Sequence, residues 1–318
     1  MLERFDQLKK DYGAQVLSTL FPGVSTELLG GGVGENEFSL ELDPGALLNG
    51  SPQYVAPGRR FVHFTSLRGL HSILNERAIR MYNLKSTNDP REFEWVAKDF
   101  GYQPFRLDSF KSGTCLISMC LPNVLDGFGA LNLWRFYGDN GWGCAIEIEF
   151  TPSEFNLTSD FMLGKVQYNK LDGSKFKEAH REFESKNNIR IDPESIIKVP
   201  ACFHKSELFA SENEVRFVRF SDYHNPAFLT RKELGNFYLD FNRRGEVVSY
   251  WKQPLWETQV LEPSLNITRI EIGFQHAPDG AKRIVEHLNQ LFHALGMERK
   301  EILAPLIVQS PLKDTFRF

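Results

Sequence analysis

The chain has 318 residues, 42% of them hydrophobic and 25% charged, with a formal net charge of −4. That composition suits a globular protein of one large domain or two small ones, long enough to bury a sizeable core. It excludes the global basic excess of a non-specific nucleic-acid binder and leaves room only for a local basic groove. No run of about 18 apolar residues offers a membrane span. Met1 to Gly13 lacks the apolar core of a signal peptide. The expected setting is therefore the cytoplasm, with no membrane partner. Cys115, Cys120, Cys144 and Cys202 show neither zinc-finger spacing nor a Cys-x-x-Cys pair, so they read as reduced core residues.

Residues 1–55 read as an N-terminal extension and residues 56–318 as a single domain. Leu2 to Phe21 predicts one amphipathic helix, with Phe5, Leu8, Val16, Leu17 and Leu20 apolar. Gly30-Gly31-Gly32-Val33-Gly34 fits neither phosphate-binding glycine pattern and reads as a flexible turn. Glu37 to Leu42 alternates like a strand, and Pro52 and Pro57-Gly58 mark the boundary. The stretch Arg59 to Glu94 then sets the organisation. Phe61, Val62 and Phe64 surround His63 in a strand, and Ser66 is a favoured helix cap. Leu67, Leu70, Ile73 and Leu74 recur at helical spacing. Ala78 to Tyr82 predicts a second strand, and Thr87-Asn88-Asp89-Pro90 a turn.

Further along, Cys115 to Cys120 reads as a buried strand carrying Ser118. Leu131 to Tyr137 predicts a short aromatic helix and Gly138-Asp139-Asn140-Gly141 a turn. Gly143 to Phe150 alternates as a half-buried strand. Lys165 to Tyr168 is a strand candidate; Ser174 to Asn187 and Ile196 to Phe209 predict helices. Glu212 to Phe220 alternates again. Phe220 to Gly245 carries turn and helix signals, and Ile267 to Gly273 reads as a strand. Pro278 to Leu295 has the clearest helical stripe, stopped by Gly296, and Glu301 to Val308 predicts a last strand. Strands dominate the middle with helices inserted between them. This pattern predicts an α+β fold with curved, mixed or antiparallel sheets rather than a doubly wound parallel one.

The sharpest chemical signal is Glu212-x-Glu214-x-Arg216. On one strand these three side chains share a face. Two carboxylates so close raise one pKa, which suits a general base or a carboxylate that orients sugar hydroxyls. The competing reading is an exposed charge ladder. His63 is either a satisfied core histidine or a neutral donor to a ligand hydroxyl. Trp134 and Tyr137, at i and i+3, suit either the core or stacking on a flat ring. No H-E-x-x-H, G-x-S-x-G or paired His/Asp run is present, so metal chemistry is not expected.

Several short elements occur in order: H-F-T-S at 63–66, N-D-P-R-E at 88–92, S-M-C at 118–120, L-W-R-F-Y-G-D-N-G-W-G at 133–143, and K-S-E-L-F-A-S-E-N-E-V-R at 205–216. In this the chain resembles the bacterial family called domain of unknown function 2971, over about residues 56–310. The middle of S-M-C departs from that family's usual C-F-S. The family in turn resembles, more distantly, the ADP-ribosyltransferase fold. That resemblance implies an NAD-dependent enzyme with NAD as substrate and no metal. It implies that His63 and Thr65 touch the adenosine ribose, that Trp134 or Tyr137 stacks on nicotinamide, and that Glu214, with Glu212 beside it, is catalytic. Asn88 and Arg216 complete the expected site. The acceptor would be RNA, DNA or protein, in a toxin–antitoxin or anti-phage module with an antitoxin partner. A non-catalytic nucleotide- or partner-binding module and an NAD glycohydrolase are the alternatives.

Overall fold

The local signals around His63 set the middle of the fold. Arg60–Thr65 forms strand β3, and the apolar residues either side of His63 are buried. The Ser66 hydroxyl accepts the Gly69 amide at 3.0 Å and starts helix α2, Leu67–Glu76. Leu70, Ile73 and Leu74 are its buried stripe. Arg77 ends the helix in a left-handed conformation, and Ala78–Asn83 follows as β4. The computed structural model describes residues 2–21, 23, 29–33, 38–42, 51–55, 59–86, 93, 99–101, 108, 110–126, 129–151, 161–168, 172–191, 194–220, 237–241, 245–256, 264–296 and 305–314.

Within these residues the remaining helices are α1 (Leu2–Gln15), α3 (Gly129–Phe136), α4 (Gly173–Asn187), α5 (Glu194–Phe203) and α6 (Pro278–Ala294). The remaining strands are β1 (Leu29–Val33), β2 (Phe38–Leu42), β5 (Thr114–Cys120), β6 (Cys144–Thr151), β7 (Phe161–Lys165), β8 (Glu214–Phe220), β9 (Phe237–Phe241), β10 (Val247–Pro254), β11 (Ser264–Ile272) and β12 (Leu306–Gln309). The fold is α+β, as the alternation of elements predicts. Ten strands make one large, uncurled mixed sheet, not the curved sheets expected. Its order is β12-β11-β6-β3-β5-β4-β10-β9, with β8 and β7 branching from β5. The β11–β12 pair is parallel and the other pairs are antiparallel.

The branch point positions the site. One side of β5 pairs with β8 along its whole length, Thr114 to Cys120. The other side is shared: β4 takes Cys115 and Leu116, and β3 takes Cys120. Ile117 to Met119 have no strand neighbour on that side among the described residues. Ser118 lies in this gap and is the exposed residue of β5.

Three apolar clusters flank the sheet. One side buries Phe61, Ile146, Ile148, Val215 and Phe217 beneath α2 and α6. The other buries Val62, Phe64, Cys120 and Ala145 against α3, with Trp134 at the centre. The third joins the N-terminal helix to the body: Leu8, Tyr12, Val16 and Leu17 pack with Phe176 and Phe183 of α4 and Ile196 and Ile197 of α5. The Tyr12 hydroxyl bonds His180 Nδ1 at 2.8 Å within it.

Several boundaries differ from the sequence reading. The expected helix over Leu2–Phe21 ends at Gln15 and continues as a 3₁₀ turn, Leu17–Thr19. Gly30 to Gly32 are strand residues of a hairpin with β2, not a turn. The helix expected to reach Phe209 stops at Phe203, and Glu207–Glu212 is 3₁₀. The strand candidate at Lys165–Tyr168 lies earlier, at Phe161–Lys165. Phe237–Phe241, read as turn or helix, is a strand. The turn at 87–90, with Asn88, lies outside the described residues.

Candidate functional site

The polar cluster assembles at the start of β8. Glu212 is not on that strand. It ends the 3₁₀ helix, Asn213 takes a left-handed conformation with φ 45°, and the strand begins at Glu214. The expected alternation of Glu212 and Glu214 along one strand is therefore corrected: a turn separates them, and Lys205 draws them together. Lys205 Nζ donates to Glu212 Oε2 at 2.7 Å and to Glu214 Oε2 at 3.2 Å. Its ammonium also lies 4.5 Å from the Phe209 ring centre.

Arg216 holds Glu214 from the other side. Its Nε donates to Oε1 at 2.7 Å, one terminal nitrogen to Oε2 at 3.2 Å, and the other to the Cys202 carbonyl at 2.8 Å. Glu214 is 4% exposed and Arg216 1%, so this is not a surface charge ladder. Burial pushes the Glu214 pKa up, but the Arg216 and Lys205 charges and their hydrogen bonds, with one from Ser118, outweigh it. The carboxyl is held well below its ordinary range. The sequence reading expected a raised pKa from neighbouring carboxylates; the two cations reverse the sign. The Glu214 amide donates to the Tyr168 hydroxyl at 2.9 Å, and Tyr137 donates to Glu212 Oε1 at 2.8 Å.

His63 reaches the cluster indirectly. Strand alternation puts it on the side of Phe61, whereas Val62, Cys120 and Glu214 lie in register on the other. Its Nδ1 is 3.0 Å from the Ser118 carbonyl, in the gap where β3 leaves β5. A carbonyl only accepts, so this assigns the proton to Nδ1 and leaves Nε2 as acceptor. Burial lowers the His63 pKa, against an opposing pull from that carbonyl, and the ring is neutral at pH 7. Ser118 is thus the junction: its carbonyl takes His63, and its side chain lies on the side of β5 that faces Glu214 and Arg216 and helps hold the Glu214 carboxyl ionised.

The structure brings Glu212, Glu214, Arg216 and Tyr137 into one network and ties His63 to it through Ser118. Thr65 stands apart, at the end of β3. Its side chain packs where Gly69 enters α2, and its carbonyl packs where Gly143 precedes β6; neither glycine has room for a Cβ. Trp134 is fully buried, edge-on to Phe64 at 5.1 Å and to Phe274 at 6.1 Å. It fills the core and does not offer a face for nicotinamide. Tyr137, one residue beyond α3, is 39% exposed. Sequence reasoning passed over Lys205, although it sits inside the quoted motif seven residues before Glu212. It also gave Ser118 no role, although Ser118 is the polar residue in the centre of C-L-I-S-M-C. Among the described residues no group of three or more His, Cys, Asp or Glu side chains is placed to hold a metal. No helix among them is long and apolar enough to cross a membrane.

Fold and site define an α+β protein whose forked mixed sheet carries a buried carboxylate–guanidinium–ammonium cluster. Residues 133–217 match the family model described as "Protein of unknown function (DUF2971)", so the family resemblance read from the sequence is borne out over that segment. The match spans Tyr137, Lys205, Glu212, Glu214 and Arg216 and leaves out His63 and Ser118. Comparison with curated proteins and with solved structures returns no significant match.

Proposed function

We propose that the chain is an ADP-ribosyltransferase-like enzyme that cleaves NAD and transfers ADP-ribose to RNA, DNA or protein. The observation that supports this most is the Glu214 carboxylate, kept ionised by fixed cations behind the exposed Ser118. In the proposed reaction the nicotinamide–ribose bond breaks, and its electron pair leaves with neutral nicotinamide. The ribose carbon becomes an oxocarbenium centre, which a preorganised carboxylate stabilises. The acceptor nucleophile forms the new bond and gives its proton to Glu212, the less buried of the two carboxylates. Tyr137 is the exposed aromatic for the leaving ring; the ribose contact expected of His63 is set aside, since His63 lies on the opposite side of the sheet from Glu214 and bears on the site through the Ser118 carbonyl. The cellular setting under this reading is a toxin–antitoxin or anti-phage module in the cytoplasm, with an antitoxin as partner.

One observation favours a second reading. Arg216 and Lys205 already neutralise Glu214 and Glu212, which suits a non-catalytic module that binds a nucleotide or partner. Labelled NAD, incubated with the protein and with total RNA, DNA or protein, separates the readings. Label on a macromolecule supports transfer, free ADP-ribose alone indicates a glycohydrolase, and binding without turnover indicates the module. Glu214→Gln should lower turnover about 10²–10³-fold, with Ser118→Ala as the less disruptive companion. Unchanged turnover in a folded Glu214→Gln variant removes Glu214 from the reaction.

A further inference from the structure

Far from this site, the sheet ends at β9, which among the described residues pairs with β10 alone. Edge strands are usually blunted by charge, proline or a bulge, because an open row of amides and carbonyls templates pairing. Described β9 is Phe237-Tyr238-Leu239-Asp240-Phe241, with Asp240 as its single charge. Its carboxylate is engaged by its own chain, with Oδ2 accepting from Arg80 at 3.1 Å and Oδ1 from the Phe241 amide at 2.8 Å. Leu239 is 69% exposed and Phe241 70%, and Val247, opposite Phe241 on β10, is 63% exposed. These three lie on one side of the sheet and form a contiguous apolar patch at its end, the kind of surface that marks an interaction site.

We propose that β9 is the dimer interface of this protein, pairing antiparallel with β9 of a second copy about a twofold axis at Leu239. The register follows from the strand's own chemistry. Centring on Asp240 would set two carboxylates directly opposite each other, which is destabilising. Centring on Leu239 sets that leucine against its copy and Phe241 against position 237. It sets Asp240 against Tyr238, twice by symmetry. The Tyr238 ring carries the Lys252 ammonium 4.1 Å from its centre, where Lys252 also pairs with Glu76 at 3.3 Å, so each Asp240 is set opposite a ring that already bears a cation. An isologous contact of this kind closes on itself and does not propagate.

The test uses the full chain and does not depend on any reaction with NAD. Light scattering after size exclusion, across a range of concentrations, should show a monomer–dimer equilibrium. Leu239→Lys, at an exposed position, should leave the circular dichroism melt unchanged and abolish the dimer. Leu239→Cys should form a disulfide-linked dimer on mild oxidation, because directly opposed residues lie within bridging distance and the four native cysteines are buried. Monomer at every concentration overturns the proposal. So does a dimer that survives Leu239→Lys, or a Leu239→Cys variant that does not cross-link while the dimer persists.

Discussion

Replacing Arg216 with methionine tests whether the cluster at β8 is electrostatic. The side chain is buried and, among the described residues, gives two hydrogen bonds to Glu214 and one to the Cys202 carbonyl. Breaking a buried ion pair by removing one partner costs about 3–5 kcal/mol, because the other charge is left uncompensated. Lys205 still lies 3.2 Å from Glu214, which places the expected loss near the lower end, about 3 kcal/mol. At about 2.1 cal/mol/K per residue over 318 residues, the unfolding entropy is about 0.7 kcal/mol/K, so Tm should fall by about 4–5 °C. The pH dependence is the sharper readout. In the wild type the Glu214 pKa is depressed, so its stabilisation is present above the unfolded carboxylate pKa and is lost as pH falls through the folded value. In Arg216→Met, burial dominates and raises that pKa, so protonation relieves the strain. The gap between the two proteins should be widest at pH 7 and narrow toward pH 4, in urea melts followed by circular dichroism. The double variant Arg216→Met with Glu214→Gln should recover part of the loss. A gap that stays constant between pH 7 and pH 4 would refute the reasoning and assign the loss to packing.

Three further substitutions probe other positions in the fold. Gly143→Ala should cost at least about 2 kcal/mol, the range for overpacking, since a Cβ there collides with the Thr65 and Gly138 carbonyl oxygens. Gly280→Ala in α6 meets nothing within 4 Å and should stabilise by about 0.5–1 kcal/mol; equal effects in thermal melts would contradict this. Burial pulls the pKa of His204 down to about 4, while its bond with the Pro200 carbonyl resists the shift. The unfolded chain therefore binds the proton first, and stability should fall as pH drops from about 6.5 to about 4; His204→Gln, measured by urea melts across that range, should flatten the slope.

What the sequence disclosed was local, and what it withheld was register. The Ser66 cap, the α2 stripe and the long helix at Pro278 were legible because each depends on residues within a few turns of one another. Phe5, Leu8, Val16, Leu17 and Leu20 marked the inner side of the N-terminal segment. Its anchor, the Tyr12 bond to His180, spans 168 positions and left no pattern. The Glu-x-Glu spacing invited a strand reading, and Asn213, a residue tolerant of left-handed backbone, was the clue against it. Trp134 and Tyr137 looked interchangeable at helical spacing, but α3 ends between them, leaving one in the core and one outside. Ser118 gained its place from three strands that meet around it, which composition and periodicity do not encode.

The sharing of β5 has a mechanical consequence. β12, β11, β6 and β3 form one blade and β4, β10 and β9 another, and both are hinged on a single spine. At Ile117 to Met119, among the described residues, no strand pairing joins either blade to that spine. In place of a ladder there, the bond from His63 to the Ser118 carbonyl ties β3 to the spine, so a single side chain does what backbone pairing does elsewhere in the sheet.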